Sequence, residues 1–383
     1  VLLEDGLTAM HSSVASWEET ASAAPHARVS YHESVSKLQA SHGQALDRFA
    51  TGPFDRLSWY RLLDQHGLKD TGGQPLFALA EAEYGVAALP LARRANALES
   101  LHHPFAFTWR PLAPEGALGD ALLTAIARDL KSQAYRVAFE CLPGEDGSED
   151  GSAARLTRAF RKAGWIAHRS VCDTNHVLEV RGRSFAEYWA DRPGQMRTTL
   201  KRKAKKVSVS IATEFRSDDW DAYRAIYGRS WKGDEPDYAL LEAFARAEGE
   251  AGRLRMGVAR HDGEPVAAQF WTVEGGTAYI HKLAYDAEHR HLSAGTTLSA
   301  ALFEHVIDRD RVDLIDFGTG SDGYKRDWMD KERLATAARG RLAGCQSRRE
   351  GGRGPDRRKS APACLASEAR VSAHPQMQGI LTS

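Results

Sequence analysis

Cysteine is scarce in this chain. Four thiols in 383 residues (Cys141, Cys172, Cys345 and Cys364) show no paired spacing of the kind that holds a metal. That argues against a disulfide scaffold and a cysteine-built metal site, and it suits a reducing cytoplasm. A charge excess of one sign is also lacking, since 51 Lys and Arg residues balance 51 Asp and Glu residues, so net charge points to no polyanionic partner. No run of 18 apolar residues exists, which argues against a transmembrane helix. The N-terminus lacks the basic-then-apolar order of a secretory signal. A cytoplasmic globular protein without a membrane span is therefore expected, and its length suits two domains of about 150 to 180 residues.

What is present is an α/β pattern from about residue 28 onward. Residues 1–26, with Ser, Ala and Glu but little periodicity, are expected to be a disordered leader. Helical periodicity covers 34–49 and resumes from Phe54. Two strand-like runs, 75–81 and 84–93, read as a hairpin. Helix 119–132, strand 136–142, a flexible acidic loop over 144–151, helix 153–163 and strand 176–180 complete a first domain spanning 27–183. The joint, 184–206, ends in a stretch where six of the ten residues from Arg197 to Lys206 are basic. That run reads either as a solvated helix face or as an electropositive rim for an anionic ligand. A second domain, 184–330, then runs strand 207–215, helices 219–231 and 238–248, and an antiparallel meander over 253–260, 265–273 and 277–286.

The stretch 277–328 carries the chemistry. Strand 277–285 alternates Tyr279, His281, Leu283 and Tyr285 against Ala278, Ile280, Lys282 and Ala284. A turn of small residues, Ser293-Ala294-Gly295, then opens a helix with Leu298, Leu302, Phe303, Val306 and Ile307 on one face. Amides at a helix start lack intrahelical partners and sit at the positive end of the dipole, so such a turn can cradle a pyrophosphate. Strand 312–317 follows, and then Gly318-Thr-Gly-Ser-Asp-Gly-Tyr-Lys-Arg-Asp-Trp328.

Arg290-x-x-Ser293-x-Gly295 resembles the R/Q-x-x-G-x-G/A pyrophosphate loop of the GNAT acyltransferases, with serine at the first glycine position. The Asp316-Phe317 strand end with the Tyr324-Lys325 turn and Trp328 is similar to the signature of the CelD-type acetyltransferases, a GNAT-like group related to the Fem peptidyltransferases. The resemblance implies an α/β (α+β) fold of tandem GNAT-like domains, each a mixed, mostly antiparallel sheet flanked by helices, with the first domain a degenerate half. It also implies acetyl-CoA or another acyl-CoA as cosubstrate, no metal, and N-acylation of a small-molecule amine of a sugar or envelope precursor. The basic helix at 197–206 has a counterpart in those families.

Residue by residue, the resemblance places the coenzyme on Arg290, Ser293, Ala294, Gly295, Thr296 and Thr297. Backbone N–H groups near Leu283 to Tyr285 would meet the developing oxyanion. Tyr324 is the candidate acid or orienting hydroxyl, with packing beside Trp328 as its other reading. Asp316, Asp322 and His281 are the candidate bases, although the alternation fits His281 better as a satisfied, half-buried histidine. Lys325 is expected to contact an anionic group or to be solvated. Trp231, next to Lys232, and Gln269 are expected to line the acceptor cleft. Two alternatives stay open: a Fem-type aminoacyltransferase whose 197–206 helix grips charged tRNA, and an inactive binding relic. Nucleic acid is not expected otherwise.

The final stretch departs from this pattern. Residues 331–383 contain no Phe, Tyr or Trp and carry 11 basic against 4 acidic residues, so a basic disordered tail is expected. Their Arg, Ala, Gly and Ser bias is that of a GC-rich gene read out of frame, so the closure of the sheet is expected to be missing. A basic tail for nucleic acid is the competing reading.

Overall fold

The computed structural model describes residues 27–68, 73–143, 151–230, 232, 235, 237–320 and 322–343. The leader, most of the acidic loop, Trp231 and everything beyond 343 lie outside the described residues.

The chain writes one sequence of elements twice. The first pass runs β1 (Arg28–His32), α1 (Val35–Asp47), α2 (Leu57–Leu62), β2 (Gln74–Ala82), β3 (Gly85–Arg94), β4 (Ala97–Ser100), α3 (Gly116–Asp129), β5 (Arg136–Pro143), α4 (Ser152–Lys162) and β6 (Ile166–Glu179). Two helices join the passes, α5 (Phe185–Ala190) and α6 (Gly194–Lys203). The second pass runs β7 (Ser208–Ala212), α7 (Ser217–Gly228), α8 (Tyr238–Glu250), β8 (Leu254–His261), β9 (Glu264–Glu274), β10 (Thr277–Tyr285), α9 (Ala294–Glu304), β11 (Leu314–Thr319), α10 (Lys325–Trp328) and β12 (Lys331–Arg341). Local chemistry fixes the joint: Ser184 and Glu187 form a capping box that starts α5.

All strands lie in a 12-stranded sheet of order β1-β2-β3-β4-β5-β12-β6-β11-β10-β9-β8-β7. Pairing is antiparallel except for β4 with β5 and β10 with β11. The two halves exchange their last strands: β12 lies between β5 and β6, while β6 pairs with β11. This is the expected tandem, mixed sheet flanked by helices, fused through one shared pair of strands. A core of both halves packs α1, α2, α7 and α8 against one face of the sheet. Separate cores under α3 and α4, and under α5, α6 and α9, cover the other face.

The expectation of a disordered stretch from residue 331 is wrong over the described part of it, and with it the expectation that the sheet lacks closure. β12 occupies the centre of the sheet. Its buried positions are small (Ala335, Ala337, Ala338 and Gly340), because its neighbours supply the bulk. A side chain at Gly340 would begin 3.0 Å from the Val137 Cγ2 atom and 3.6 Å from the Trp165 ring. A strand paired along both edges gains its backbone hydrogen bonds whatever its side chains are, so composition alone misled. The run 176–180 likewise extends back to Ile166, because β6 pairs along its length with β12.

Candidate functional site

β10 and β11 pair only from Thr277 to Tyr279 opposite Leu314 to Asp316. The register of β10 on β9 slips between Ile280 and Lys282, leaving His281 as the extra residue of a bulge. A bulge bends its strand, and beyond it β10 runs on with β9 alone, so the two parallel strands part. α9 begins beside the end of β10.

Ser293 sits at φ +52°, ψ +38°, the left-handed conformation that glycine adopts most readily, which is why glycine suits this loop position and serine holds it at some strain. The first helix amide bonded within α9 is that of Thr297, to the Ser293 carbonyl at 3.1 Å. The amides of Ala294, Gly295 and Thr296 therefore face out of the helix end. A methyl group on Gly295 would lie 3.6 Å from the Tyr285 ring, an ordinary contact. Arg290 opens a short 3-10 turn before the loop and is exposed. Thr296 is half-buried, and the hydroxyl of buried Thr297 has no hydrogen-bond partner.

The basic helix α6 reaches this loop: Lys203 Nζ donates to Ser293 Oγ at 3.1 Å. Of the two readings of that run, this contact favours an electropositive rim. Lys232 lies at the mouth of the opening, with Nζ donating to the Leu283 carbonyl at 2.8 Å. Burial is the main cause that brings its ammonium down to about 8, aided by Lys282 and opposed by Glu235 and Asp322. Tyr324 is half-buried against Phe317, ring centroids 5.7 Å apart. Burial, then Asp322 and Tyr285, raise its hydroxyl far above the usual tyrosine value, so it stays a proton donor. Burial raises the Tyr285 hydroxyl as well. Asp322 is exposed in the turn. Tyr324, Tyr285, Asp322, Leu283 and the loop thus gather around one opening, together with Lys232.

Four expected site residues are held elsewhere. His281 is enclosed by Phe54, Phe107, Phe244 and Phe270, with ring centroids 4.9 to 5.7 Å away, and its Nε2 lies 2.7 Å from Thr272 Oγ1. Burial brings its imidazole down to about 3, so it is neutral and walled off. Asp316 accepts from Asn175 at 3.0 Å and from the Gly318 amide at 2.8 Å, which commits its carboxylate to bracing the end of β11. Lys325 is buried, and its Nζ donates to the carbonyls of Gly318, Thr319 and Gly320, so it meets no incoming anion. Gln269 faces α9: its amide donates to Ser299 Oγ at 2.7 Å and to the Gly295 carbonyl at 3.3 Å, and its oxygen accepts from Trp271 at 2.9 Å. It fixes the loop and does not line the cleft. Trp231 lies outside the described residues.

Sequence reasoning missed Glu235 and Lys282, a buried pair 2.8 Å apart. Neither belongs to a local motif, and only the fold places Glu235 beside β10.

Among the described residues of the first half, the equivalent gap is filled. β4 and β5 part after Glu99 and Ala138, but the chain after β4 turns back into the gap, where the Trp109 amide donates to the Cys141 carbonyl at 2.9 Å and the indole stacks on Phe139. The start of α3 is filled as well: Arg155 donates to the Pro114 carbonyl at 2.7 Å and to Asp120 at 2.8 Å.

Among the described residues, a bulged strand parting from its parallel neighbour before a helix with free leading amides occurs in the second half. Residues 194–326 match the acetyltransferase (GNAT) domain family. Beyond the matched stretch, the likeness is to solved structures that cover most of this chain. The crystal structure of FemX is similar at 10% identity with a TM-score of 0.54, covering 80% of this chain and 96% of that one. The C-terminal domain of a putative lysylphosphatidylglycerol synthetase from Agrobacterium fabrum is similar at 14% identity with a TM-score of 0.50, covering 80% and 92%. At such identities the likeness is one of fold. No curated protein sequence matches the chain. Among the described residues there is no cluster of three or more potential metal ligands and no helix long and apolar enough to cross a membrane.

Proposed function

We propose that the GNAT domain binds acetyl-CoA or another acyl-CoA in the opening between β10 and β11 and transfers the acyl group to an amine, one carried by a sugar or an envelope precursor in the cytoplasm. The observation that carries this reading is the parting of the two strands beyond Tyr279, with the amides of Ala294, Gly295 and Thr296 at its mouth. The pyrophosphate rests on those amides and meets Lys203 at the rim. The thioester carbonyl enters along β10 at Leu283 to Tyr285, where backbone N–H groups stabilise the oxyanion. Tyr324, held protonated, donates to the departing thiolate, and Lys232 or Asp322 at the mouth takes the amine's proton.

Calorimetry with acetyl-CoA tests this directly. Gly295→Leu has room for its Cβ but fills the space before the amides. It is expected to weaken binding about tenfold or more, that is by at least about 1.4 kcal/mol, while the melting temperature holds. Unchanged affinity removes the loop from the coenzyme site.

The contact of α6 with the loop also favours a second reading, a Fem-type aminoacyltransferase that uses charged tRNA. In that case tRNA binds with a steep salt dependence through the exposed Lys201, Arg202 and Lys205, and acetyl-CoA does not bind.

A further inference from the structure

Lys232 stands apart from every other lysine described around the opening. Lys325 is spent on three carbonyls of its own turn. Lys282 pairs with Glu235 at 2.8 Å and lies 4.0 Å over the Phe105 ring. Lys203 belongs to the phosphate end. Lys232 alone has its Nζ on the free edge of β10, 2.8 Å from the carbonyl of Leu283, the residue where the reading above places the thioester.

We propose that Lys232 is a self-acylation site, taking the acyl group from acyl-CoA bound in the opening. In the neutral amine, the Nζ lone pair adds to the thioester carbonyl carbon, and the oxyanion faces the β10 amides. The tetrahedral species collapses with cleavage of the C–S bond, coenzyme A leaves as the thiolate, and the proton lost from Nζ goes to that thiolate. The products are an Nζ-acyl lysine and free coenzyme A, and no oxidant or further reactant is needed. The amide is a dead end that blocks the mouth of the cleft, so in the absence of an acceptor amine the enzyme switches itself off.

The surroundings favour the reactive form. Burial is the largest cause and Lys282 on β10 and Lys325 after β11 act with it against the positive charge, while Glu235 and Asp322 oppose them, and the balance brings Nζ to about 8. At pH 8 about half of Lys232 is then the free amine, against roughly 1 in 250 for a solvated lysine titrating near 10.4. That is about a hundredfold more of the nucleophilic form, partly offset by the lower nucleophilicity of a less basic amine and added to by holding the two groups together.

The test needs no acceptor. The full chain is incubated with acetyl-CoA at pH 6 to 9, site-resolved acetylation is followed by mass spectrometry, and binding is measured on the same preparation by calorimetry. Lys232 is expected to acetylate about tenfold or more faster than the exposed Lys201 and Lys205. Its rate should rise about tenfold per pH unit at first and flatten above about 8. Gly295→Leu should slow acetylation of Lys232 from acetyl-CoA and leave its acetylation by acetyl phosphate, which needs no coenzyme site, unchanged. If acetyl-CoA binds and Lys232 acetylates no faster than the exposed lysines, self-acylation is overturned and the coenzyme reading stands. If acetyl-CoA does not bind, both fall.

Discussion

Replacing Lys232 with methionine should stabilise the protein at neutral pH, and the gain should vanish as the solution becomes alkaline. The ammonium is brought from an ordinary 10.5 to about 8, chiefly by burial, so folding opposes its charge. At 1.36 kcal/mol for each pH unit of displacement, the penalty is about 3 kcal/mol. The sign follows from proton counting. Below about pH 8 the side chain is charged in both folded and unfolded chains, and the full penalty applies. Between about 8 and 10.5 the unfolded chain keeps the proton and the folded one releases it, so wild-type stability rises with pH. Above that window both are neutral and the penalty is gone.

Methionine carries no charge and lacks the bond to the Leu283 carbonyl at 2.8 Å, a loss of about 1 kcal/mol at any pH. The variant should therefore be about 2 kcal/mol more stable than wild type at pH 7 and about 1 kcal/mol less stable at pH 10.5. Urea unfolding of both proteins across pH 7 to 10.5 measures this. Their difference cancels the tyrosines and lysines that titrate in both. A difference that stays flat across the window would show that Lys232 is not depressed and would refute the electrostatic account of the opening. A lysine kept at such a cost to stability is what a working site retains.

Two further predictions concern the framework. Lys282→Met leaves the Glu235 carboxylate, 1% exposed, without its cation, and should cost about 3 to 5 kcal/mol in urea unfolding. Adding Glu235→Gln should recover much of that loss, and if it does not, the unpaired carboxylate is not the source of the cost. Ending the chain after Asp330 removes β12 from between β5 and β6. That truncation should abolish cooperative thermal unfolding of both halves, read by circular dichroism, and a truncated chain that still melts cooperatively contradicts the exchanged-strand sheet.

Much of the second half was legible because its signals are local. The meander is punctuated by His261-Asp262-Gly263-Glu264 and Glu274-Gly275-Gly276, and the structure turns at both. The alternation on 277–285 and the small residues opening α9 need only neighbours in sequence to be read. The motif residues Leu283, Tyr285, Ser293, Gly295 and Tyr324 accordingly fall around one opening. The catalytic readings of His281 and Asp316 and the binding readings of Lys325 and Gln269 fail because what occupies their polar atoms comes from other elements: Thr272 across the ladder, Asn175 from the first half, the carbonyls of residues 318–320, and Ser299 on α9. Side-chain chemistry names what a residue can do, and its neighbours decide whether it is free to do it.

The sequence by itself determined the meander and helices of the second half and the small-residue turn that opens α9, since each follows from periodicity, turn residues and spacing. Only the tertiary structure decided that β6 and β12 trade places between the halves, that small residues make a central strand, and that Lys232, Glu235 and Lys282 meet beside β10. Those outcomes rest on partners far apart in the chain, where strand pairing and burial outweigh local preference.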